Sequence, residues 1–127
     1  MKRTSLIIAT ALLLPISCLA TDSFGYYKPQ AMTNFVTCEN FVAAQNACRQ
    51  GDCLKLNAFH QWMFGYITAY NVHTPDTYDI TGGKGVDFLD NWLEGFCKKN
   101  PWMDFSVAVD NLTVGLYPNR IKTSPKP

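Results

Sequence analysis

The sequence is poor in the residues that most catalytic and metal centres need. Its 127 residues include only two histidines, His60 and His73. It has no C-x-x-C pair and no histidine at ligand spacing from a cysteine, which excludes the usual zinc patterns. It lacks a G-x-S-x-G elbow, and with its cysteines read as paired no nucleophile–base couple stands out. Neither charge dominates and no basic or acidic block occurs, which argues against nucleic acid or an anionic membrane surface as partner. After the first twenty residues no apolar run approaches the length of a bilayer span. Internal repeats and the alternating pattern of strands are also missing.

Residues 1–20, MKRTSLIIATALLLPISCLA, read as a secretory signal peptide. Lys2 and Arg3 form the charged start, Leu6 to Leu14 the short apolar core, and Cys18-Leu19-Ala20 the cleavage region, so cutting is expected after Ala20. Acylation at Cys18 is the lesser reading, because Pro15 stands where a lipobox has leucine. The expected location is periplasmic or secreted. The remaining 107 residues suffice for one domain. Without Lys2 and Arg3 the 11 basic residues fall to nine against ten acidic ones, a net charge of −1.

Removing Cys18 leaves four cysteines, an even number that reads as two disulfides in an exported chain. Of three pairings, Cys48–Cys53 and Cys38–Cys97 are favoured. The first brackets Arg-Gln-Gly-Asp, where Gly51-Asp52 suits a tight turn. The second staples the first helix to a later one, a closure stabilising by roughly 4 kcal/mol in a chain-entropy model.

The pattern predicts an all-α, compact four-helix domain over residues 37–117, preceded by an N-terminal arm at 21–36 whose Tyr26 and Tyr27 can pack on the body. Thr37 caps a helix over about 38–47. Phe59, Trp62, Met63, Tyr66 and Tyr70 then mark one face of a long second helix, ended by Pro75. Gly65 inside it suggests close approach by another helix. Phe88, Leu89, Trp92, Leu93 and Phe96 form the stripe of a third helix over Val86–Lys99, stopped by Pro101. Asp104 caps a fourth, with Phe105, Ala108, Val109, Leu112 and Leu116 inward and Pro118 at its end. The polar, proline-rich tail at 118–127 is expected to be disordered.

The chemistry-bearing residues that remain have plain structural readings. His60 reads as a surface residue of the second helix and His73 as a charge favourable to its C-terminal end. Asp90 and Glu94 read as the solvated face of the third helix rather than paired catalytic carboxylates. Gly82-Gly83-Lys84-Gly85 departs from the Walker phosphate loop, since glycine follows the lysine and no strand precedes it. Asp76, Asp79 and Asp87 do not follow the calcium-loop pattern. The chain is expected to carry no cofactor and no metal, and to be no enzyme.

The segment NVHTPDTYDITGGKG, residues 71–85, is long for a connector, and loops of that length are often functional. It reads as a partner-binding loop presenting His73, Asp76, Tyr78, Asp79 and Lys84, held at its base by Asp caps and glycine turns; a packed connector is the competing reading. Part of the aromatic stripe of the second helix can also serve a partner or a second copy of the chain.

Three segments carry a family resemblance: TCENF at 37–41, WMFGYITAYN at 62–71 and FCKKNP at 96–101, followed by an amphipathic helix. Over about residues 37–117 the chain resembles small exported helical proteins of the HdeA/HdeB type and the Rap/Tai-type immunity proteins. In such families the early cysteine pairs with the one before Asn-Pro, in agreement with Cys38–Cys97. The resemblance implies a non-catalytic periplasmic protein-binding domain, with a toxin, an envelope subunit or an unfolded client as partner. The HdeA type implies an acid-stress chaperone. This chain adds the Cys48–Cys53 pair and the long loop, which favour an inhibitor, immunity or envelope-assembly role.

Overall fold

A computed structural model describes residues 37–124. The expected signal peptide, the Cys18 acylation site, the N-terminal arm and Pro125–Pro127 lie outside the described residues. The rest folds as four helices: α1 (Cys38–Arg49), α2 (Leu54–His73), α3 (Val86–Lys99) and α4 (Phe105–Leu116). Among the described residues there is no strand, only two isolated bridges, Thr37 to Asp104 and Asp79 to Ile121.

Each helix begins and ends for a local reason. The Thr37 hydroxyl accepts the Asn40 N–H and so satisfies one of the free donors of α1. Gly51, at φ +102°, turns the chain after α1. The Thr74 N–H bonds to Tyr70, and Pro75 prevents further helix. Asp87 near the start of α3 and Lys98 and Lys99 at its end complement its dipole. Asn100 closes α3, its backbone and side-chain N–H groups both donating to the Phe96 carbonyl.

Helix α1 packs against both α2 and α3, while α4 packs mainly on α3. Cys38 meets Cys97, and Gln45 meets Asp90 further along, so α1 and α3 run antiparallel. No Cα of α2 comes within 8 Å of one in α3. These two helices are consecutive in sequence but diagonal in the bundle, which is why a long segment joins them.

The core centres on three rings. Phe41 of α1, Phe59 of α2 and Phe105 of α4 lie 4.7–5.4 Å apart between centroids. Met63, Leu93, Val109 and Leu112 are fully or almost fully buried beside them. Each such side chain contributes about 1.5–3 kcal/mol through removal from water. One end of this core is clamped. The Cys38–Cys97 disulfide ties α1 to α3. Beside it the Cys38 and Glu39 N–H groups donate to the Met103 and Pro101 carbonyls at 2.8 and 3.0 Å. Those donors are orphans at any helix N-terminus, and here the α3–α4 turn accepts them. The second bridge, Cys48–Cys53, closes the α1–α2 turn as expected.

Three expectations are corrected. Gly65 is exposed, and a Cβ built there meets nothing within 4 Å, so no helix approaches it. Phe88 lies outside the α3 stripe and is exposed, because the helix turns Leu89, Leu93 and Cys97 inward at four-residue spacing. The tail does not leave the body at Pro118: Tyr117–Asn119 makes a 3-10 turn and Ile121 pairs with Asp79. The polarity of the tail concealed this pairing, which depends on backbone groups and one isoleucine.

Two stability outcomes follow from this packing. Gly65→Ala is expected to raise the unfolding free energy by about 1 kcal/mol in urea titration, since an exposed helical glycine only costs backbone entropy. In the chain-entropy model, replacing both Cys38 and Cys97 by alanine costs about 4 kcal/mol, whereas the same change at Cys48 and Cys53 costs about 2 kcal/mol. The sequence separations of 59 and 5 residues set that order.

Candidate functional site

The loop between α2 and α3 is held from within. The Asp79 carboxylate accepts the Thr81 N–H at 2.9 Å, the Thr81 hydroxyl at 2.8 Å and the Gly83 N–H at 2.9 Å. Burial raises the Asp79 pKa, but these three donors together outweigh it and hold it below the usual carboxylate range. Gly82 and Gly83 follow at φ +63° and +79°, where a side chain would be strained. A Cβ on Gly82 would also stand 2.6 Å from the Asn119 carbonyl. The Asn71 side chain at the end of α2 accepts the Ile80 N–H at 2.8 Å, and Ile80 is fully buried.

It is also held from outside by the residues after α4. The Ile121 carbonyl accepts the Tyr78 and Asp79 N–H groups at 2.8 and 3.0 Å, and the Ile121 N–H returns a bond to the Asp79 carbonyl. Arg120 Nε donates to the Asp76 carbonyl at 3.0 Å and to the Thr77 hydroxyl at 3.1 Å. The same guanidinium lies 3.7 Å over the Tyr117 ring. This end of the bundle therefore gathers the loop, the start of α3 and the segment 117–121.

The five loop residues read from the sequence have different fates. His73, Asp76 and Tyr78 face solvent, with Tyr78 half-exposed. Asp76 holds a left-handed backbone at φ +51°, which aspartate tolerates better than most residues. Asp79 turns inward as the internal anchor, and Lys84 lies 4.9 Å over the Phe88 ring. The sequence reading missed Phe88, Tyr117 and Arg120. One sign was available: Ile80 is the lone aliphatic residue between Pro75 and Gly85, and burying it requires something to cover it.

The titratable residues of α2 and α3 are also placed differently from expectation. His60 is mostly buried, and its Nε2 lies 2.9 Å from both carboxylate oxygens of Asp90, linking the two diagonal helices. Glu94 is buried and takes Arg49 of α1 at 2.6 Å and Lys98 at 2.8 Å. Neither carboxylate lies on a solvated face, because α1 packs on the side of α3 that carries them. The Arg49 and Lys98 hydrogen bonds hold the Glu94 pKa low. Burial pushes the Asp90 carboxyl up, opposed by His60 and reinforced by Asp87 and Glu94.

Among the described residues no group of three or more His, Cys, Asp or Glu side chains is placed to hold a metal, and no helix is long and apolar enough to cross a membrane. The two disulfides suit an oxidising, extracytoplasmic environment. Comparison of the chain with protein-family models, with curated proteins and with solved structures finds no match.

Removing the residues from Arg120 onward is expected to abolish hydrogen-exchange protection at Tyr78 and Asp79, whose N–H groups donate to Ile121, while leaving the helices protected. Acid acts on the same anchors. Glu94 and Asp79 have depressed pKa values in the folded chain, so their stabilisation is present above the ordinary carboxylate range and is lost as the pH falls through it. Asp90 has the opposite sign: its charge is penalised at neutral pH and the penalty is relieved on protonation. Unfolding free energy is expected to fall between about pH 5 and pH 3. Asp90→Asn, which removes the opposing term, makes that fall steeper in urea titrations across the range.

Proposed function

We propose that the chain is a non-catalytic protein-binding domain of the periplasm, an inhibitor or immunity-type protein or a subunit of an envelope assembly. The observation that carries this reading is the loop at 74–85. It is fixed on one side by Asp79, Asn71 and the buried Ile80, and on the other by Arg120 and Ile121. Its outer side still offers Tyr78, with Phe88 and Tyr117 exposed at the same end. A loop already ordered loses little entropy on binding, and tyrosine supplies contact area with few rotatable bonds. The non-catalytic reading is supported by the pairing of the buried carboxylates, Glu94 with Arg49 and Lys98 and Asp90 with His60. The leader-like first twenty residues and the two disulfides support export to an oxidising compartment.

An acid-stress chaperone is the second reading. It is favoured by the reliance of the α1–α3 seam and of the loop on carboxylates with depressed pKa values, Glu94 and Asp79, which acid neutralises.

One experiment separates the two. A photo-crosslinking amino acid is placed at Tyr78 and, as control, at Gln61, which is exposed on α2. In exported protein at neutral pH, a single adduct of defined mass formed from position 78 and absent from position 61 is the outcome expected of a specific binder. In parallel the purified protein is titrated with a hydrophobic dye down to about pH 2. No adduct at neutral pH, together with dye binding and suppression of client aggregation in acid, replaces the first reading by the second.

A further inference from the structure

The core accounts for only part of the aromatic row on α2. Phe59 and Met63 are buried, whereas Trp62, Tyr66 and Tyr70 are half-buried. Trp62 stacks on Tyr66 at 5.5 Å and Tyr66 meets Tyr70 at 6.2 Å, so the three rings form one continuous strip. The strip follows α4. Trp62 meets the Phe105 ring at 6.0 Å, and one turn further on the Tyr66 hydroxyl donates to Asp110 at 2.9 Å. The contact advances along both helices together, so α2 and α4 run side by side in the same direction here. Val107 and Val114, one turn before and one turn after Asp110, share its side of α4. Val107 is half-buried and Val114 is 63% exposed. Rings from α2 and valines from α4 thus flank one apolar seam.

The chain enters the described residues at one end of this seam. Thr37 forms an antiparallel bridge with Asp104, the residue before α4, and the Cys38 N–H donates to the Met103 carbonyl. Segments paired in this way run in opposite directions. Traced backward from Thr37, the backbone is therefore directed past Asp104 toward Phe105, whose ring meets Trp62. Asp110 lies about 9 Å and Val114 about 15 Å along the helix from Asp104. About three and five extended residues cover those distances, so the stretch from Phe35 back to Met32 is the one that matches the seam in length. The composition of residues 21–36 suits such a face. It includes Phe24, Tyr26, Tyr27, Met32, Phe35 and Val36 against one acid, Asp22, and one base, Lys28. Side chains of that kind gain by leaving water, unlike those of a polar linker.

We infer that residues 21–36 form an intramolecular strap along the α2–α4 seam, with Phe35 and Met32 as anchors on Trp62, Tyr66 and Val114. A phenyl ring extends the aromatic strip, and a methionine thioether suits a surface made of rings. The tether favours this occupant over any free one. Thr37 fixes the strap beside the Cys38–Cys97 staple, within a few residues of its docking face, so docking needs only a short loop closure. The strap removes the aromatic strip of α2 from the surface open to a partner and leaves that role to the loop end with Tyr78. It does not depend on the loop reading, because it is tested without any partner.

The test uses the chain from Thr21 to Pro127, labelled with 13C at the methionine methyls and 15N at the tryptophan indoles. Nuclear Overhauser contacts from the Met32 methyl to the Trp62 or Tyr66 ring, in a protein of monomer mass, are expected. Joint substitution Met32→Ser and Phe35→Ser is expected to abolish those contacts and to move the Trp62 indole peak. The Trp92 peak and the backbone amides of α1 and α3 stay in place, which shows that the bundle is still folded. A mixture of differently labelled chains separates a strap from an exchange between copies: contacts seen only across the two labels overturn the strap and assign the seam to a second copy. No contact from Met32 to the seam, an unmoved Trp62 peak in the double variant, or movement of the Trp102 peak in its place also overturns it.

Discussion

The Cys38–Cys97 staple and the two backbone bonds beside it set the geometry on which the rest of the bundle depends. They hold the first turn of α1 against the last turn of α3 and the turn after it. With that corner closed, Phe41 projects between α2 and α4 to meet Phe59 and Phe105. A helix of twelve residues is marginal by itself. Here its N-terminal donors, its cap and its covalent tie act on the same turn, so the core assembles against a fixed reference.

The staple has a consequence for topology. Because α1 occupies the position between α2 and α3, the chain must cross the diagonal of the bundle after α2. That crossing carries backbone polar groups over the end of the core, and each needs a partner. The Asp79 carboxylate, Asn71 and the returning strand-like residue Ile121 supply several of them. The long loop is thus a packed connector that also leaves an outward-facing surface.

The three segments that carry the resemblance to small exported helical proteins act chiefly as scaffold in this structure. Thr37 caps, Cys38 bridges and Phe41 fills the core; Met63 packs, and Asn71 secures the loop; Cys97, Asn100 and Pro101 end α3 and receive α1. Motifs of this kind report how a helical body is closed. The motifs leave the loop end with Tyr78 uncovered.

The helices and the bridges were legible because they rest on local rules. Helical spacing of apolar residues, prolines at the ends and an even count of cysteines after the first twenty residues all act within a turn or through one covalent bond. Val86–Lys99 was bounded correctly for that reason, and the other three helices to within two residues. Which polar residues face inward was not legible. Asp90 and Glu94 have the spacing of a solvated face and become enclosed because α1 lies over that side of α3, and His60 of α2 is enclosed where it meets Asp90. Arg120 and Ile121 look like tail until Ile80 requires cover. Local periodicity determines where a helix runs and which of its faces is most apolar; the arrangement of neighbours determines which charges are enclosed, and that arrangement follows from contacts far apart in the chain.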